Sequence, residues 1–136
     1  MLGELYLQIR LHIKQKEGKC RVIPAPFAVY IKNNDLHYVE PDISVICDEK
    51  KLDEKGCHGA PDWVIEIVSP TSVQMDYVRK LALYQAAGVR EYWIVDPQQE
   101  TVTVYDPEHG REAVEYSLSE QIKTGIYEDL TIELIR

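Results

Sequence analysis

The chain has 136 residues, of which 45% are hydrophobic and 28% charged, with a formal net charge of −8 at pH 7. That length suffices for one domain with one real core, so residues 1–136 read as a single domain. The composition excludes repeats, low-complexity tracts and collagen patterns, and the acidic balance weighs mildly against a nucleic-acid partner, which usually meets a basic surplus.

Leu2, Leu5, Ile9 and Ile13, with Tyr6 beside them, recur at three- and four-residue spacing. This is one stripe of an amphipathic helix, ended by Gly18. Charges throughout "MLGELYLQIRLHIK" and the lack of a small-residue cleavage site argue against a signal peptide. The segment 20–31, "CRVIPAPFAVYI", reads as an extended edge strand broken near Pro24 and Pro26, and "NND" at 33–35 as a turn. A second strand is expected at 42–47 and, after the polar loop "DEKKLDEKGCHGAP", a third at 62–68. "TSVQ" at 71–74 fits a capping box with Thr71 as N-cap, opening a helix over 75–87. Gly88 stands where a left-handed residue closes such a helix.

"VREYWIVD" (89–96) and "TVTVYD" (101–106) form a hairpin across "PQQE", and "EAVEYSL" and "LTIELI" read as short edge strands. The order is α-β-β-β-α-β-β, a mixed central sheet flanked by helices in an α/β (α+β) fold. No apolar run is long enough to cross a bilayer, so no membrane partner is expected. Cys20, Cys47 and Cys57 are odd in number and lack a CxxC pair, which favours reduced thiols and a cytoplasmic setting. Basic residues concentrate in two places, "KQKEGKCR" (14–21) and "DEKKLDEK" (48–55).

Asp42 opens one apolar run and Glu66 interrupts another. If those strands pair as an antiparallel hairpin with 42 opposite 66, then 47 faces 61 and the loop falls at 48–60, where the polar residues are. Carboxylates facing across ~4.8 Å need a proton or a cation between them, and a hard ion such as Mg²⁺ suits oxygen ligands. Alternation turns Glu66 to the face of Val64 and Val68. The helix that follows carries Asp76, Lys80 and Tyr84 on one face, and Lys80 could reach the acids. Structural roles account for the same residues. Asp42 can be a strand-entry residue after Pro41, Arg79 or a backbone donor can satisfy Glu66, and Asp76 with Lys80 makes a surface pair worth ~0.3–0.5 kcal/mol.

Four ordered motifs, "EPDISVIC", "GAPDWVIEIVSPTS", the D-x3-K-x3-Y run at Asp76, Lys80 and Tyr84, and "AGVREYWIVDP", cover residues 38–106 closely. The chain thereby resembles the Uma-type restriction endonucleases, a family long labelled a domain of unknown function and counted within the PD-(D/E)XK nuclease superfamily. The resemblance implies a restriction-endonuclease-like αβββαβ core. It also implies hydrolysis of phosphodiester bonds in DNA, with Asp42 and Glu66 as ligands of Mg²⁺ (or Mn²⁺) and Lys80 as the third catalytic residue. Val68 stands where the superfamily places lysine, so the lysine has moved onto the following helix. Glu4 is a candidate additional acid. Tyr84 either packs between helix and sheet or hydrogen-bonds near Lys80, and His58 and His109 are surface residues in loops.

Three functional readings follow. The first is a metal-dependent DNA endonuclease. The second is a catalytically inactive nuclease-like fold acting as a binding or assembly module, which the net charge favours because a duplex repels an acidic surface. The third is a structural subunit that pairs through an exposed strand edge at "REYWIVD" or the C-terminal strands. A homodimer is expected in each case.

Overall fold

The computed structural model describes residues 1–32, 37–71 and 74–134, and for residues 74–76 the backbone alone. The first helix, α1 (Leu2–Gln15), leads into β1 (Arg21–Pro24) and β2 (Val29–Tyr30). Strand β3 (Ile43–Ile46) precedes a polar loop that contains β4 (Leu52–Asp53) and β5 (Gly56–His58). Then come β6 (Trp63–Ile67), α2 (Gln74–Ala87), β7 (Glu91–Asp96) and β8 (Thr101–Asp106). The chain closes with β9 (Arg111–Ser117), β10 (Ile122–Lys123) and β11 (Thr131–Ile132).

Six strands form the central sheet in the order β1-β3-β6-β7-β8-β9, with β6 and β7 parallel and every other neighbour antiparallel. The parallel pair requires a crossover, and α2 supplies it. The fold is therefore mixed α/β with an αβββαβ core. The register of β3 on β6 pairs Ile43 with Ile65 and Val45 with Trp63. This continues the alignment that sets position 42 opposite 66. The small strands β2, β5 and β4 make a separate three-stranded sheet, and β10 pairs with β11.

The sheet buries both faces. Leu5, Ile9 and Ile13 of α1 pack with Ile43, Val45, Trp63, Ile65 and Trp93 on one side. Val64, Tyr84 and Tyr92 form the cluster on the α2 side. Trp63 and Trp93 meet edge to face at 5.0 Å, a favoured aromatic geometry. No helix among the described residues is long and apolar enough to cross a membrane.

Four expectations need correction. The left-handed residue that ends α1 is Glu17, at φ 52°, and Gly18 follows it by donating to the Ile13 carbonyl at 2.9 Å. Segment 20–31 breaks at Pro24 and supplies the edge strand β1 as expected, but its second half, β2, enters a different sheet. Cys20 and Cys47 are bridged by a disulfide, leaving only Cys57 free. Because β1 pairs Arg21 with Ile46, the next positions out, 20 and 47, face each other across the ladder. Finally, "REYWIVD" is no edge. Strand β7 lies between β6 and β8, and the sheet's free edges are β1 and β9. The turn at 33–35 and the capping box at 71–74 fall partly or wholly outside the described residues.

Candidate active site

Asp42 lies one residue before β3, where its main-chain oxygen accepts from Ala25 N at 2.9 Å and extends the β1–β3 ladder. Its side chain reaches across to the far end of β6, with Oδ2 accepting from Ile67 N at 2.6 Å. Glu66, on that strand, is 3% exposed. Its Oε2 accepts from the Tyr84 hydroxyl at 3.0 Å and stands 3.0 Å from Lys80 Nζ. Lys80 and Tyr84 sit one turn apart on α2, so both reach the same carboxylate. The end of α2 is fixed by Gly88 at φ 95°, with Val89 N bonded to the Tyr84 carbonyl and Gly88 N to that of Gln85.

Burial pushes the Glu66 pKa above the ordinary glutamate value. Lys80 and the Tyr84 hydrogen bond pull it down, and nearby Asp42 pushes it up again; the cost of desolvation prevails. Lys80 is the exposed end of the array, with its side chain about one-third accessible and Nζ 5.7 Å from the centre of the Tyr77 ring.

Among the described residues nothing donates to Asp42 Oδ1 or Glu66 Oε1, so each acid is held by one oxygen and offers the other. Nor do the described residues contain a cluster of three or more His, Cys, Asp or Glu side chains placed to hold a metal. Two carboxylates fit Mg²⁺, which keeps several waters and is commonly bound through one or two carboxylates. A structural zinc site would take four Cys or His ligands, and the described residues place no such set here.

The family model described as Uma2, "Putative restriction endonuclease", matches residues 1–133. The chain belongs to that family. Among solved structures, it is similar to a crystal structure from Anabaena variabilis ATCC 29413 described as a "putative nuclease belonging to DUF820". The two agree with a TM-score of 0.76 at 23% identity, over 98% of this chain and 75% of that one, a likeness of fold. No curated protein matches the chain.

For this Uma2-family chain, the structure brings together Asp42, Glu66, Lys80 and Tyr84, and leaves the other candidates elsewhere. Val68, at the superfamily's lysine position, donates its N–H to the Val95 carbonyl at 2.8 Å, so the lysine beside Glu66 comes from α2 instead. Glu4 is exposed on α1, the helix packed on the other face of the sheet. His58 stacks on Tyr30 at 4.9 Å and pairs with Asp53 at 2.8 Å; His109 pairs with Asp106 at 2.9 Å. Arg79 is exposed and does not reach Glu66, and the Asp76 side chain lies outside the described residues.

Sequence reasoning passed over Tyr92. It is 1% exposed on the α2 face, its ring 5.0 Å from that of Tyr84 and 6.0 Å from that of Tyr105. Its hydroxyl has no hydrogen-bond partner among the described residues. The pairing of Val64 with Tyr92 in β6 and β7 puts it on the Glu66 face, a signal that needs the strand order to be read. Because a buried unpaired hydroxyl costs about 1–3 kcal/mol, Tyr92→Phe is expected to leave the melting temperature unchanged or raise it. A lower melting temperature for Tyr92→Phe in a thermal scan would mean that the hydroxyl is satisfied in solution.

Proposed function

We propose that the protein is a metal-dependent endonuclease that hydrolyses phosphodiester bonds in DNA. The reading rests on one observation: a 3%-exposed glutamate, contacted by a lysine and a tyrosine, at the register position opposite an aspartate. A fold that needed only stability would gain little from burying that carboxylate, since an apolar residue in its place avoids the desolvation cost.

Asp42 and Glu66 would hold Mg²⁺ or Mn²⁺ through Oδ1 and Oε1. When bound, the ion would polarise the phosphoryl oxygen and lower the pKa of its water. Tyr84 and the Ile67 N–H keep the two carboxylates in place by occupying Glu66 Oε2 and Asp42 Oδ2. Lys80, with its ammonium against Glu66 and its stem partly exposed, would orient the attacking water and offset the charge that develops on the phosphate. A homodimer would bring one such site to each strand of a duplex.

The test is cleavage of plasmid and single-stranded DNA with Mg²⁺ or Mn²⁺ at low salt, comparing the wild type with Asp42→Ala and Lys80→Ala. Nicking that EDTA stops and both substitutions lower by at least about 100-fold is the expected result. If the wild type cuts nothing, calorimetric titration of Mn²⁺ decides between the readings. Heat lost in Asp42→Ala would leave a metal site with another substrate, and no heat at all would make the carboxylates structural and the fold a binding module.

A further inference from the structure

The two basic stretches of the sequence meet in space. Pairing of β1 with β3 brings the end of α1 and residues 19–21 against the turn at 47–50, and the Cys20–Cys47 bond joins the two walls. Between them lies a cavity of about 700 Å³, and Arg10, Lys14, Lys19, Arg21 and Lys50 are among the residues that line it. A second cavity of about 240 Å³ continues it and shares Arg10 and Arg21, with Tyr6 along its wall.

The five cations of this groove are unengaged among the described residues, where most of the other cations have partners. Lys16 pairs with Asp129, Lys51 with the Ala60 carbonyl, Lys80 with Glu66, and Arg90 with Asp62 and Glu108. None of the five in the groove forms an ion pair among the described residues. Three carboxylates, Glu17, Asp48 and Glu49, also line it, and Asp48 is turned to the Lys50 N–H of its own turn. A surplus of cations thus gathers in one concave place on a chain whose net charge is −8. Surplus like charge in a concave surface repels itself and attracts a polyanion.

We propose that this groove binds the sugar–phosphate backbone of a nucleic acid, as an anchoring site separate from the carboxylate pair. The proposal rests on the nuclease reading for the identity of the polyanion. Asp42 and Cys47 stand at opposite ends of β3, about 17 Å apart along extended chain. On a duplex that is about five base steps, at about 3.4 Å per phosphate on each strand. The groove lies beside α1, on the face of the sheet opposite Glu66 and α2, so it would hold the backbone at a distance from the acids and not within the site itself. Such an anchor also answers the objection raised by the net charge: contact is made where the local balance is positive.

The experiment is fluorescence anisotropy of a labelled 20-base-pair DNA in EDTA, which blocks cleavage, at several salt concentrations. Arg10→Gln/Arg21→Gln is compared with Lys32→Gln/Lys123→Gln, which removes the same charge from outside the groove. The groove variant is expected to bind about tenfold more weakly at low salt and to lower the slope of log affinity against log salt by about 2, while the control stays near wild type. Equal loss in both variants, or none in either, overturns the proposal. A preference for anionic vesicles over DNA that vanishes in the groove variant also overturns it, in favour of a lipid surface. Cleavage assays run beside these keep the two readings apart. Groove-dependent binding by a protein that never cuts DNA would uphold the anchor and refute the nuclease. Cutting that is indifferent to Arg10 and Arg21 would do the reverse.

Discussion

Glu66→Gln is expected to abolish metal-dependent cleavage, by at least about 10³-fold, while leaving the fold at least as stable at neutral pH. Glutamine keeps the length of the side chain and an oxygen to accept from Tyr84, but loses the charge that would hold the cation. Removing that charge should not weaken the fold, because burial raises the Glu66 pKa above its unfolded value. The folded protein therefore holds this proton over a pH window in which the unfolded chain has released it. Stability from this group is complete below the ordinary glutamate pKa and is lost as pH rises through the elevated one. At neutral pH the ionised form carries a desolvation cost that Lys80 and Tyr84 offset only in part. The same shift predicts that the cleavage rate climbs with pH through a value above the usual glutamate range, since only the ionised acid binds the metal. Thermal scans of wild type and variant between pH 4 and 8, with rates on the same samples, test both claims. A variant that still cuts within tenfold of wild type, or that melts well below it at pH 7, would contradict the assignment of Glu66.

Breaking the Cys20–Cys47 bond should produce the largest loss of stability. Closing a loop of sequence separation 27 restricts the unfolded chain by about 3.5 kcal/mol on the chain-entropy account. For a domain of this size that corresponds to roughly 10–15 °C in melting temperature. Cys20→Ser/Cys47→Ser and reduction by a phosphine should give the same shift. The remaining thiol should not confuse the result: burial pushes the Cys57 pKa up to about 11, which keeps it protonated and slow to exchange. Melting curves that coincide with and without reductant would show that the bond does not form in solution, and would restore the sequence-based expectation of three thiols.

The register of β3 on β6 was legible because the polar loop between them is nearly symmetrical about the 42–66 pairing, and because a slip of one residue would turn Ile65 and Trp63 out of the core. The helix that brings Lys80 to Glu66 was read from the capping pattern before it and from its terminal glycine. Strand order was not. The near-continuous apolar run in β7 is what a strand covered on both faces looks like, yet from sequence it could also be taken for an edge. The disulfide was hidden for the same reason, since nothing in the spacing of Cys20 and Cys47 announces that β1 lies beside β3. Gly18 drew attention away from Glu17, which takes the left-handed conformation one position earlier. Side-chain spacing along one element could be read; adjacency between distant elements needed the fold.

The outermost strand β9 has a consequence for handling the protein. Almost all of its seven residues are exposed, and one side of its backbone meets no neighbouring strand of the sheet. Such an edge invites edge-to-edge stacking unless charge discourages it, and Arg111, Glu112 and Glu115 supply that charge within the strand. Two copies approaching through β9 at neutral pH also meet the mutual repulsion of acidic molecules. In mild acid, as the carboxylates take up protons and the net charge nears zero, that repulsion fades while the open edge stays. Purification and storage should therefore keep well above that range, where solubility is governed by charge instead of by the bare ladder.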